Sequence, residues 1–188
     1  WALRTAGLGL LSNIPGDRRG VPGAEDPAVA PEYLPQYVAE FREMLAGYGL
    51  SSVYYAHIAT GEIHFRPLLN FKDPADVERF RKLMYDLAAL VKKYRGSLSG
   101  EHGDGRVRGE FIPFMLGERN YQLIRSVKYT WDPENLMNPG KIVDSPPITE
   151  FLRVIPGKPT PEFETLFDFS ANMGFFRSIE KCNGSGDC

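Results

Sequence analysis

Cysteine is nearly missing from this 188-residue chain: there are two, Cys182 and Cys188, both within the last seven positions. The rest of the sequence offers no thiol for a disulfide framework, so a reduced, cytoplasmic setting is expected. An excess of either charge is also missing, with Lys+Arg 22 against Asp+Glu 24. That balance argues against nucleic acid as a partner, because a phosphate-binding surface carries a basic excess. No apolar run approaches the roughly 18 to 20 residues that cross a bilayer, and no charged-then-apolar leader opens the chain, so no transmembrane segment is expected. Internal repeats and low-complexity stretches are absent too. What is present, 43% hydrophobic and 24% charged residues, suits one domain of ordinary size with a real core. The chain opens on Trp1 rather than methionine, and it reads as a piece of something longer.

Periodicity gives the elements. The Gly/Pro-rich opening reads as an extended arm, with a strand expected near residues 26–30. Leu34, Tyr37, Val38, Phe41, Leu45 and Tyr48 recur at helical spacing, and Gly49 stands where a helix end wants a left-handed residue. SSVYYAHIA and EIHFRPLLN read as two strands of a hairpin turning at Thr60-Gly61. Asp73 is a candidate N-cap with Pro74 in the first helical position, ahead of a stripe through Val77, Phe80, Met84, Leu87, Val91 and Tyr94 that Gly96 ends. A third helix is expected over 118–131, stopped by Asp132-Pro133, then a turn at LMNPGKIV leading into a short strand. Strand, helix, two strands and helix match the split β-α-β plan of an α+β, ferredoxin-like sandwich, with an antiparallel sheet covered by helices on one face. The expected organisation is a domain over 1–143, a Pro-rich linker over 144–160 and a helical extension over 161–188.

Histidine is as scarce as cysteine: there are three, His57, His64 and His102. If Thr60 and Gly61 are the central residues of a two-residue turn, His57 opposes His64. Opposed side chains share a face with Cβ atoms about 4.5–5.5 Å apart, close enough for both rings to hold one ion. The alternative is a pair of ordinary, partly buried histidines bonded to their neighbours. Two imidazoles do not complete a catalytic metal site, which usually takes three protein ligands. Residues 99–105, SGEHGDG, supply a candidate carboxylate in Glu101, beside His102, in a glycine-lined loop that lets backbone approach a ligand. A plain glycine-rich turn with solvated charges is the alternative there.

WALR, EDPAVAPE, HIATGEIHFRP, SLSGEHGDG and NLMNPGKIV, in that order along the chain, resemble the C-terminal half of FAD-linked oxidases of the vanillyl-alcohol oxidase superfamily, in the branch of D-lactate dehydrogenase, glycolate oxidase and D-2-hydroxyglutarate dehydrogenase. The resemblance implies an oxidoreductase acting on a small D-2-hydroxy acid, with FAD bound mainly by an N-terminal domain of the same protein and electrons passed on to an acceptor. It implies a divalent metal, zinc or manganese, on His57, His64 and Glu101. It gives His102 the role of catalytic base and Arg4 that of substrate-carboxylate partner, and places Asn138 and Lys141 near the flavin. The tail around Cys182 and Cys188 resembles the start of an iron–sulfur region, implying a 4Fe–4S cluster beyond this chain. Better-known members read H-x-G-D-G-N-x-H at the hairpin; here Ala59, Thr60 and Glu62 occupy the varied places. Two other readings of the same residues are a metal-dependent hydrolase and a non-catalytic docking module.

Overall fold

A computed structural model describes residues 13–182, together with 7, 9 and 11. Leu34, Tyr37, Phe41 and Leu45 form one stripe of helix α1, Leu34–Gly47, and all four are buried. The helix ends in a Schellman motif: Gly49, at φ 64°, bonds back to Ala46, and Leu50 N–H reaches Leu45 O at 2.9 Å. Helix α2, Pro74–Lys93, starts as expected, with the Asp73 side chain accepting from Ala75 N–H. Its end differs in detail. Arg95, at φ 53°, takes the left-handed position, and Gly96 follows as the residue that bonds back to Val91 O. Gly96 is needed for another reason: a Cβ there would lie 2.3 Å from Ala28 O.

Strands β1 (Arg19–Gly20), β2 (Ser52–His57) and β3 (Glu62–Leu69) form a sheet in the order β1-β3-β2, all pairs antiparallel. With α1 between β1 and β2, and β3 lying between those two strands, this is the split β-α-β arrangement of an α+β fold. β3 separates two environments by its alternation. Ile63, Phe65 and Leu69 are buried in the hydrophobic core, where Phe65 packs against Tyr37 and Phe41 of α1. Burial of a side chain of that size contributes about 1.5–3 kcal/mol. Glu62, His64 and Arg66 point to the other face.

Five expectations need correction. The first strand is Arg19–Gly20 rather than 26–30. Ala28 forms only isolated bridges, to Glu62 and to Ser97. Gly20 pairs with Leu68 and Ala28 with Glu62, so eight steps of chain face six of β3. The excess is taken up by a 3₁₀ turn, Pro22–Ala24, and by Asp26 at φ 83°. The hairpin does not turn on two residues: a 3₁₀ turn, Ile58–Thr60, is followed by Gly61 at φ 73°. Thr60 thereby avoids the left-handed region, and glycine supplies it.

The NPGK turn leads into no strand, because Ile142 and Asp144 are both left-handed. The helical extension shrinks to a 3₁₀ turn, Ser170–Asn172, and α5, Phe175–Ile179. The segment 144–160 is not a free linker, since it buries Ile148 in the core. Helix α3, Ile112–Leu116, precedes helix α4, Glu118–Trp131, the latter with the expected bounds.

Candidate metal centre

The longer hairpin loop changes the register but not the face. His57 lies opposite Glu62, and His64 lies opposite Tyr55. A shift of two residues leaves the two-residue alternation intact, so His57 and His64 still share one face as diagonal neighbours. Their rings are 5.3 Å apart. Tyr55 stacks on His64 at 4.5 Å and 16°, a cross-strand pair that fixes the imidazole. His64 is 1% exposed.

Glu101 arrives from the opposite side of this face. Its carboxylate Oε1 lies 3.4 Å from His57 Nε2, 3.7 Å from His64 Nε2 and 3.4 Å from His102 Nε2. The loop reaches there because Asp26 holds it. Asp26 Oδ1 accepts from Glu101 N–H at 2.8 Å, Oδ2 from the Ser99 hydroxyl at 2.8 Å and from His102 N–H at 3.1 Å, while Gly100 N–H donates to Asp26 O at 2.7 Å. Gly103 and Gly105 are left-handed, which lets the loop fold over without strain. The buried Arg108 clamps the loop: it pairs with Asp26 at 3.2 Å and donates to Glu25 O and Gly103 O. Glu25 in turn holds Arg66 at 2.8 Å and accepts from the Tyr55 hydroxyl. The irregular stretch of the first strand thus delivers the two acids that organise the site.

Electrostatics follow from burial. Desolvation pushes the His64 pKa down from its ordinary value, the nearby His102 and His57 adding to this against the pull of Glu25 and Glu101, so the ring is neutral and able to ligate. Burial, then the repulsion of Glu101, raises Glu62. For Asp26, burial pushes upward, but the N–H groups of Glu101 and His102, the Ser99 hydroxyl and Arg108 together hold it below the usual carboxylate range. Asp104 is raised by burial.

His57 Nε2, Glu62 Oε1 and both nitrogens of His64 are buried without a hydrogen-bond partner. Orphaned buried polar atoms are rare and costly. Here they converge: one ligand atom from each of His57, Glu62, His64 and Glu101 lies within 4.8 Å of all the others. Two donors at about 2.0–2.2 Å from one ion are separated by no more than roughly 4.4 Å, and the His64–Glu62, His57–Glu101 and His64–Glu101 separations of 3.1, 3.4 and 3.7 Å fall inside that range. The donor set fits a divalent cation.

Of the residues expected at the site, His57, His64, Glu101 and His102 come together. Asn138 and Lys141 do not join the cluster. Their turn adjoins its loop through Ile142 N–H to Gly105 O at 2.8 Å, and Asp132 holds the turn by accepting from Leu136 and Met137 N–H. Cys182 is exposed and free. Arg4 and Cys188 lie outside the described residues. Sequence reasoning passed over Glu62, Glu25, Asp26 and Arg108. The alternation E-I-H carried the signal for Glu62, placing it beside His64 on the polar face; Glu25 and Asp26 open the EDPAVAPE segment, and no short pattern marks Arg108.

A family model described as FAD linked oxidases, C-terminal domain, matches residues 1–142. The chain belongs to that family. Among curated relatives of this FAD-linked oxidase domain, the D-2-hydroxyglutarate dehydrogenase of Pseudomonas putida is 37% identical over 189 residues, covering 100% of this chain and 18% of the relative. That of Escherichia coli is 36% identical over 188 residues, again 18% of its length. The D-lactate dehydrogenase of Archaeoglobus fulgidus is 32% identical over 68% of the chain and 28% of the relative. The chain thus spans under a third of each of these proteins.

Proposed function

We propose that this chain is the substrate-domain part of an FAD-dependent dehydrogenase that oxidises a D-2-hydroxy acid of the 2-hydroxyglutarate, lactate or glycolate type. The observation that carries the reading is the meeting of His57 and His64 with Glu101, 37 residues beyond His64 in the sequence, with His102 at the rim and 41% of its side chain exposed. His57, His64 and Glu101 hold a divalent cation, zinc or manganese. When bound, the cation supplies a fixed positive charge that acidifies a substrate hydroxyl, and FAD supplies the hydride acceptor.

The chain's own residues do the rest. His64 stays neutral because it is buried, and so offers a lone pair at neutral pH. His102, within 4.0 Å of the Glu25 and Asp26 carboxylates at Nδ1, is oriented by them and takes the hydroxyl proton. Arg4 pairs with the substrate carboxylate as a planar fork of donors. Asn138 and Lys141 flank the flavin, and electrons leave toward an iron–sulfur segment that begins at Cys182 and Cys188.

Anaerobic mixing of the full-length protein with D-2-hydroxyglutarate, D-lactate or glycolate should bleach the flavin band for at least one of them. Bleaching by none defeats the assignment. His102→Ala should slow that bleaching about 100-fold or more while FAD stays bound; an unchanged rate removes His102 from the base role. Hydrolysis of ester substrates without flavin involvement would instead favour a metal hydrolase.

A further inference from the structure

Four donors, rather than three, surround the point where a cation would sit. The fourth, Glu62, is the first residue of β3, placed next to His64 by strand alternation and opposite His57 by register. It is 5% exposed, and its Oε1 lies 3.1 Å from His64 Nε2, yet neither atom makes a hydrogen bond. The two atoms are neighbours without being aligned as donor and acceptor, as two ligands of one ion are.

A buried carboxylate needs a cation or a set of donors. The nearest basic side chains on this face are committed elsewhere: Arg66 to Glu25 at 2.8 Å and Arg108 to Asp26 at 3.2 Å. Asp26 cannot be the fourth ligand on equal terms, since both of its oxygens already accept from the loop N–H groups and Ser99. Glu62 adjoins Asp26, but its Oε1 has no hydrogen-bond partner, and the residue joins the same group of candidate ligands as Glu101.

We infer that Glu62 is a fourth protein ligand, so that the site is a two-histidine, two-carboxylate centre in which two acid charges cancel those of a divalent ion. This rests on the metal-centre reading above and adds to it a residue and a preference. A second hard oxygen donor favours manganese relative to zinc, compared with a site of two imidazoles and one carboxylate. Glu62 is also what distinguishes this hairpin from the H-x-G-D-G-N-x-H pattern.

The test uses Mn²⁺ and Zn²⁺ on the full-length protein stripped of metal by chelation. Affinity is read by chelator competition, and the water held by bound Mn²⁺ by proton relaxation. Glu62→Gln should weaken Mn²⁺ at least about tenfold, the lower end of what even outer partners of a metal site contribute. Zn²⁺ should weaken less, and in Glu62→Leu, which carries no oxygen donor, the bound Mn²⁺ should gain one water. Glu62→Asp, which keeps the oxygen donor on a shorter arm, should fall between wild type and Glu62→Gln in affinity; this variant decides the matter if Glu62→Gln fails to fold.

Unchanged affinity and unchanged bound water in Glu62→Gln, with metal lost in a His57→Ala, His64→Ala variant, would overturn the fourth-ligand assignment and leave the three-ligand reading standing. Weakened binding with no added water in Glu62→Leu would also overturn it, leaving Glu62 outside the coordination shell. Wild-type protein that binds neither metal better than the double-histidine variant would overturn both readings.

Discussion

Asp26 has no solvent exposure, a left-handed backbone and a carboxylate that collects two N–H groups, a hydroxyl and Arg108. A single side chain thus fixes both the path of the glycine loop and the position of Glu101 and His102. Replacing it with Ala removes the loop's anchor and leaves Arg108 buried without its charge partner, a change that typically costs 3–5 kcal/mol. Asp26→Ala should therefore lower the melting temperature markedly, and metal affinity should fall with it because Glu101 loses its support. Gly61 is as constrained for a steric reason. A Cβ there would lie 1.8 Å from Val29 O, on a backbone already at φ 73°. Gly61→Ala should destabilise the protein by more than about 1 kcal/mol in denaturant melts, since both the conformation and the space forbid it.

Among the elements, the C-terminal segment is tied on by charge rather than by a helix. Lys72, just before α2, donates to Asp17 at 2.9 Å, Glu180 at 2.7 Å and Thr160 at 2.9 Å, and Arg177 of α5 holds Asp17 by two bonds. The Arg177 hydrogen bond, opposed by burial and aided by Lys72, keeps the Asp17 carboxyl below its ordinary pKa. A carboxyl whose folded pKa is depressed stabilises fully above its unfolded value, about 3.9, and loses that contribution as pH falls through the lower folded value. The melting-temperature gap between wild type and Asp17→Asn should accordingly be open at about pH 6 and narrow as pH falls below the unfolded value and through the lower folded one.

The elements also show what the sequence could convey. Helical stripes with caps at Asp73 and Gly49 were legible, because apolar period and capping chemistry are local. The broken first strand was not. Arg19–Gly20 is too short to show alternation, and what places Ala28 beside Glu62 and Ser97 is contact between segments far apart in the chain. The hairpin register failed for a definable reason: Thr60 cannot supply the left-handed turn, so the loop lengthened by two residues and the histidines moved from opposed to diagonal. Their shared face survived because a slip of two preserves alternation. Glu101 was found as a residue type in a suitable loop, whereas the hold of Glu25, Asp26 and Arg108 on that loop depends on contacts between distant segments that no local spacing displays.

Across the whole molecule, helices α1 and α2 lie on one side of β3 and the charged cluster on the other, while Ile148 from the late segment reaches back into the core. None of the described helices is long and apolar enough to cross a membrane. Phe65 and His64 are adjacent residues facing opposite ways, one into the packed aromatic layer with Phe41 and the other beneath Tyr55. Hence a lesion on the oily side cannot stay private to it: any sag in the strand that follows loss of the Phe65 ring is felt one peptide away, where an imidazole must keep its aim. Evolution of this chain is thereby constrained, since variation that a mere scaffold would tolerate has to be screened for its effect on the proposed metal centre.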